Sequence, residues 1–137
     1  MSSAIVDART ASTAGANEGK TVLIVDDDAV FCATLADGIV SLTPGLAALT
    51  AENGNQAITI LQNFAIDLVI TDLRMPGMDG RELTNWINVL RPRTPVIVIS
   101  AYADPPTIRA LSTKRNYFFD KPVDFRELRR TVDALIN

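Results

Sequence analysis

Three aspartates stand side by side in "VLIVDDDAV", where four apolar residues run into Asp26, Asp27 and Asp28. Adjacent carboxylates repel one another, and a cluster of them is unstable unless a cation neutralises it or its pKa values rise. The residues allow three readings: a solvated turn, a cation site, or the nucleophile of a phosphotransfer reaction. Other reactive types are scarce. The chain has no histidine, which excludes zinc sites of the usual kind and Ser-His or Cys-His dyads. Its one cysteine, Cys32, rules out an intramolecular disulfide and fits a reducing cytoplasm. Cys32 reads as a small buried hydrophobe on a helix rather than a reactive thiol.

What positions the aspartates is a regular alternation. Apolar runs at Thr21–Val25, Leu46–Ala51, Asp67–Thr71, Val96–Ser100 and Tyr117–Phe119 are separated by amphipathic segments near 28–42, 54–64, 80–91, 105–114 and 124–136. In the last segment Phe125, Leu128, Val132 and Leu135 form one stripe at helical spacing. Strands that are apolar on both faces and separated by helices imply a parallel sheet covered on both sides, here (βα)5. Helix starts are marked by "DGRE" (Asp79, Glu82), "DFRE" (Asp124, Glu127) and "NGNQ" (Asn53, Gln56), each a cap with its partner three residues on. "DPP" offers Asp104 as cap and Pro105 at the first helical position.

In an open parallel sheet, ligands bind outside the carboxyl ends of the strands. Asp26, Asp27 and Asp28 follow the first run, Asp72 the third, Ser100 ends the fourth, and Asp120, Lys121 and Pro122 follow the fifth. Nothing comparable follows the second. Carboxylates, a hydroxyl and an ammonium are thus expected on one edge. Oxygen-only ligands suit a hard ion, and few protein ligands plus water suit magnesium. A carboxylate beside it can attack phosphorus and form an acyl phosphate. A lysine and a hydroxyl complement the charge on the transferred group.

"VLIVDDD", "DLVITDLRMPGMDG", "PVIVISAY" and "FFDKPVD" together resemble the four motif regions of a response-regulator receiver domain of two-component signalling, a CheY-like family, over about residues 20–137. The resemblance implies a doubly wound five-stranded parallel sheet of flavodoxin-like order 2-1-3-4-5. It implies that Asp72 accepts the phosphoryl group, and that Mg2+ (or Mn2+) is bound by Asp27 and Asp72 directly, Asp26 through a water and Arg74 through its carbonyl. Ser100 and Lys121 would contact the phosphoryl group, Lys121–Pro122 would be cis, and Phe118 falls on the aromatic switch position. Asp28 is read as helix-start chemistry, and "MPGMDG" as a shaped loop with Asp79 as a cap. Implied partners are a sensor histidine kinase or histidine phosphotransfer protein, and an output partner on the face of the fourth helix, fifth strand and fifth helix. The resemblance also allows a phosphorylation-dependent homodimer. Two features depart from the family pattern. Ser100 stands where threonine is more usual. The Ser100–Lys121 interval is one residue short, and "STKRNY" brings Lys114 and Arg115 where a glycine-like turn is common.

Bulk properties agree with one domain. At 137 residues the chain can bury a core, and 47% hydrophobic with 21% charged residues is globular composition. Residues 1–19 lack a hydrophobic period and read as a flexible arm before a receiver at 20–137. They carry no signal-peptide pattern, and no apolar run is membrane-spanning, so a cytoplasmic protein without membrane contact is expected. Net charge of −3 argues against direct nucleic-acid binding, although Arg109 to Arg130 is rich in basic residues. The strongest rival is a haloacid-dehalogenase-like phosphatase with Asp26 as nucleophile, on the pattern in "DDDAV". It leaves Asp72 unexplained and lacks an acidic pair at a strand end after Lys121. "GANEGKT" is one residue short of a phosphate-binding loop and precedes a strand. A degenerate receiver used only for protein binding is disfavoured because every signature side chain is present.

Overall fold

The computed structural model describes residues 19–101, 104–112 and 115–136. Five strands, β1 (Lys20–Val25), β2 (Leu46–Ala51), β3 (Leu68–Asp72), β4 (Val96–Ser100) and β5 (Asn116–Asp120), form one parallel sheet in the order β2-β1-β3-β4-β5. Between and after them lie α1 (Ala29–Leu42), α2 (Gly54–Asn63), α3 (Gly80–Leu90), α4 (Pro105–Leu111) and α5 (Phe125–Ile136). This is the doubly wound (βα)5 arrangement and strand order expected from the sequence.

Successive side chains of a strand point to opposite faces, and in this sheet both faces are covered. Val22, Ile24, Leu68, Ile70, Ile97 and Ile99 enter one layer with Cys32, Leu35, Ala36 and Ile39 of α1 and Leu128, Val132 and Ile136 of α5. Leu23, Val25, Val69, Val96 and Val98 enter the other, with Ala57 and Leu61 of α2, Leu83 and Ile87 of α3 and Leu111 of α4. Each fully buried Leu, Ile or Val contributes about 1.5–3 kcal/mol relative to exposure. The two layers therefore fix the strand ends rigidly. Phe119 packs against the first layer and Phe118 against the second. Trp86 packs partly into the second layer beside fully buried Ile87, with Arg91 over its ring at 5.7 Å.

Caps act where the sequence puts them. Asp79 accepts from the Glu82 N–H, Asn53 from Gln56, Asp104 from Thr107 and Asp124 from Glu127. The Gln56 side chain accepts from the Glu52 N–H, one residue before the cap.

Several bounds differ from the sequence reading. β3 starts and ends one residue later, because the Asp67 carboxylate turns back to accept the Thr21 N–H at 2.8 Å. Asp72 then closes the strand, paired with Ile99. α4 ends at Leu111, short of the expected 114. β5 reaches Asp120. Of the expected arm only Gly19 is described; Tyr102 and Lys114 also lie outside the described residues. Among the described residues no helix is long and apolar enough to cross a membrane.

Candidate functional site

β1 and β3 are neighbours in the sheet, so their carboxyl ends bring residues far apart in sequence together. Asp26, Asp27 and Asp72 each offer a carboxylate oxygen, and these oxygens lie within 4.8 Å of one another. Their surroundings differ. Asp26 is 2% exposed, Asp72 is half-buried and Asp27 is exposed. Asp26 Oδ1 accepts the Asp28 N–H at 2.8 Å, whereas its buried Oδ2 accepts no hydrogen bond.

Lys121 supplies the opposing charge. Its Nζ lies 3.5 Å from Asp26 Oδ2 and 3.6 Å from Asp72 Oδ2. The Lys121 N–H donates to the Ser100 carbonyl at 2.9 Å, which ties the lysine to the end of β4, and the Lys121–Pro122 peptide is cis. Ser100 is buried at the strand end opposite Asp120.

Burial pushes the Asp26 carboxyl above the usual aspartate range. The Asp28 N–H opposes that rise, Asp72 adds to it and Lys121 reduces it. Asp72 is likewise pushed up by burial and pulled back by Lys121 and by the backbone amides of Arg74 and Leu73. The Arg74 N–H is the backbone group that steadies the Asp72 carboxylate, separate from the carbonyl expected to face a metal. One ammonium lies beside two of the three carboxylates, so the cluster keeps an unbalanced negative charge, and the buried Asp26 Oδ2 has an ion-pair contact but no hydrogen bond. Those are features a hard cation would relieve, and the all-oxygen donor set suits one.

The loop after β3 is set by two glycines. Gly77 takes φ +73, a conformation that L side chains rarely adopt. Gly80 donates its N–H to the Leu73 carbonyl at 2.8 Å, and a Cβ there would run into the Asp72 carbonyl oxygen. The start of α3 is thereby pressed against the residue that carries the central carboxylate.

Asp28 caps α1, its Oδ1 accepting the Phe31 N–H at 3.1 Å. Cys32 is buried with its Sγ directed at the carbonyls of Asp26 and Ile24, and burial pushes its thiol up to about 12. It is a packing residue, as its sequence context implied.

Two contributions were missed in the sequence. Glu52, just after β2, lines a cleft of about 430 Å³ with Asp27, Asn53, Asn55, Gly77 and Met78, so the second strand does contribute to this edge. The polar run "ENGN" was the available signal. The Phe31 ring centroid lies 4.8 Å from Lys121 Nζ. No local pattern announces that contact.

The family model described as response regulator receiver domain matches residues 22–133. The transcriptional regulatory protein GlrR of Escherichia coli K12 is 35% identical over 113 residues, 82% of this chain and 25% of its own length. The sensor histidine kinase RcsC of Salmonella typhi is 36% identical over 124 residues, 90% of this chain and 13% of its own. The chain thus spans a quarter or less of the curated relatives named here. A response regulator receiver protein from Pseudomonas putida has 31% identity and a TM-score of 0.75, covering 84% of this chain and 96% of that one. TrrA from Thermotoga maritima, solved in complex with Mg2+-BeF, has 29% identity and a TM-score of 0.75, covering 85% and 98%.

Proposed function

The chain belongs to the response regulator receiver family of two-component signalling, and we propose that it is a phosphorylation-dependent switch whose acceptor is Asp72. The observation that carries this reading is the Asp72 carboxylate at the end of β3, within reach of Lys121 and within 4.8 Å of the Asp26 and Asp27 oxygens. An Asp72 oxygen attacks phosphorus, the phosphorus–nitrogen bond of a phosphohistidine breaks, and the imidazole leaves with the bond's electrons and takes up a proton. The product is an acyl phosphate. Lys121 stands where its ammonium can balance the charge on the transferred oxygens, and Ser100 offers a hydroxyl from β4.

Asp26, Asp27 and Asp72, with the Arg74 carbonyl, would hold Mg2+ (or Mn2+). The metal supplies charge neutralisation at the phosphoryl oxygens when bound. The buried Oδ2 of Asp26, which accepts no hydrogen bond, and the Mg2+-BeF bound by the relative TrrA support that choice. The phosphoryl group adds nearly two negative charges beside Ser100. Ser100 then moves inward, Phe118 follows, and the surface from Arg109 to Arg130 changes its preferred partner as a shift between two populations. The kinase-side partner is a histidine kinase or phosphotransfer protein, and a phosphorylation-dependent homodimer is a further outcome of the same shift.

The test is the site of label from radiolabelled acetyl phosphate with Mg2+. Wild type takes up label and Asp72→Asn takes up none. Label that survives Asp72→Asn and vanishes in Asp26→Asn would overturn this reading in favour of a phosphatase with an Asp26 nucleophile.

A further inference from the structure

We propose that Phe31 is a positioning residue that holds the Lys121 ammonium at the acceptor site through the face of its ring. The inference rests on Asp72 as acceptor and Lys121 as its charge partner.

Lys121 carries its charge on a flexible stem and is 28% exposed. Among the described residues, the ammonium has Asp26 Oδ2 at 3.5 Å, Asp72 Oδ2 at 3.6 Å and the Phe31 ring centroid at 4.8 Å. An ammonium within about 6 Å of a ring centroid is attracted by the negative face of the π system. The first two attractions depend on carboxylate charge. They weaken when that charge is balanced by a cation, before the phosphoryl oxygens arrive as a new partner. The ring is neutral, and its attraction is present throughout. It confines the ammonium at the stage when the carboxylates hold it least.

The ring is itself held in place. Phe31 lies in the first turn of α1, and its N–H is the group that the Asp28 carboxylate caps at 3.1 Å. Its side chain packs against the apolar layer under α1. The third aspartate therefore acts on the site at one remove. Asp28 fixes the start of α1, the start of α1 fixes Phe31, and Phe31 fixes Lys121.

The test uses the full chain and two readouts. Proton–carbon NMR of the lysine ε-methylene groups, with Lys121 assigned by its loss in Lys121→Met, reports ring proximity. The Lys121 signal is expected upfield in wild type and Phe31→Tyr and at an ordinary position in Phe31→Leu. The initial rate of phosphoryl uptake from phosphoramidate with Mg2+ is expected to fall about threefold to tenfold in Phe31→Leu and to return in Phe31→Tyr. Equal rates in wild type and Phe31→Leu would overturn the proposal. So would a Phe31→Tyr variant as slow as Phe31→Leu, or an unshifted Lys121 signal in wild type. If wild type takes no label on Asp72, the acceptor reading fails instead, and the NMR shift alone decides whether the ring holds the lysine.

Discussion

Two polar clusters sit at opposite ends of the same sheet and are built in opposite ways. At the amino end, Asn116 begins β5 and exchanges reciprocal amide hydrogen bonds with Asn88 of α3 at 3.0 and 3.1 Å. Its Nδ2 also donates to the Leu111 carbonyl at 2.6 Å, closing the end of α4. Beside this, Asp67 accepts the Thr21 N–H and ties the starts of β1 and β3. Neutral amides and a hydrogen-bonded carboxylate tie these joints together, although the buried Thr43 Oγ1 just before β2 has no hydrogen-bond partner. At the carboxyl end, Asp26 keeps a buried oxygen without a hydrogen bond, and the one lysine contacts two of the three clustered carboxylates. A buried polar group that is paired locks a fold; one left unpaired costs stability and stays available to a ligand. The fold is fastened at one end so that the other can remain strained electrostatically.

The largest stability change should come from breaking the paired end. Asn116→Ala removes three hydrogen bonds and leaves Asn88 and the Leu111 carbonyl without a partner there. The expected loss is about 2–4 kcal/mol, read as a lower urea midpoint at unchanged slope. An Asn116→Ala variant as stable as wild type would remove the contrast between the two ends.

A smaller change of opposite sign is expected at the site. Without metal, Asp26→Asn removes a buried charge that Lys121 only partly offsets, and should gain about 1–2 kcal/mol. Mg2+ should close most of that gap. At about tenfold above its dissociation constant it adds about 1.4 kcal/mol to wild type and little to a variant that binds it weakly. Melting curves of both proteins with and without Mg2+ read this directly. A destabilised Asp26→Asn in metal-free buffer would mean that the cluster is a structural joint like the one at Asn116.

How far each end was legible in the sequence follows from the range of the interactions involved. β2 and β4 match their expected bounds residue for residue, because "LAALTA" and "VIVIS" are apolar runs edged by turn residues. The caps at Asn53, Asp79, Asp104 and Asp124 were legible because a cap and its partner lie within one turn. The convergence of Asp26, Asp27, Asp72 and Lys121 was legible because parallel topology carries every strand end to the same edge. The Asn88–Asn116 pair and the Phe31–Lys121 contact were not. Each joins side chains that are distant in sequence, and either residue taken singly reads as an ordinary helix or strand residue. The early end of α4 was also missed. The expected bound of 114 ran past Leu111, whose carbonyl accepts the Asn116 side-chain amide at the start of β5.

The smallest effect concerns acid, and its sign separates the two kinds of carboxylate. Asp26 and Asp72 have folded-state pKa values above the ordinary 3.8. Between 3.8 and those raised values the folded protein binds more protons than the unfolded one, so metal-free stability rises as pH falls through the window. Asp104 is the reverse case. Its carboxylate accepts the Thr107 hydroxyl and N–H, which hold its pKa below 3.8. The stability it contributes is present above 3.8 and is lost as pH falls through its folded value. Urea midpoints taken from neutral to acid pH test both signs. An Asp26→Asn, Asp72→Asn double variant should lose more stability than wild type on acidification, because the compensating proton uptake is gone. Asp104→Asn, which keeps a competent cap, should lose slightly less. If the double variant and wild type changed in parallel, neither site carboxyl would be raised, and the electrostatic strain assigned to the carboxyl end of the sheet would be absent.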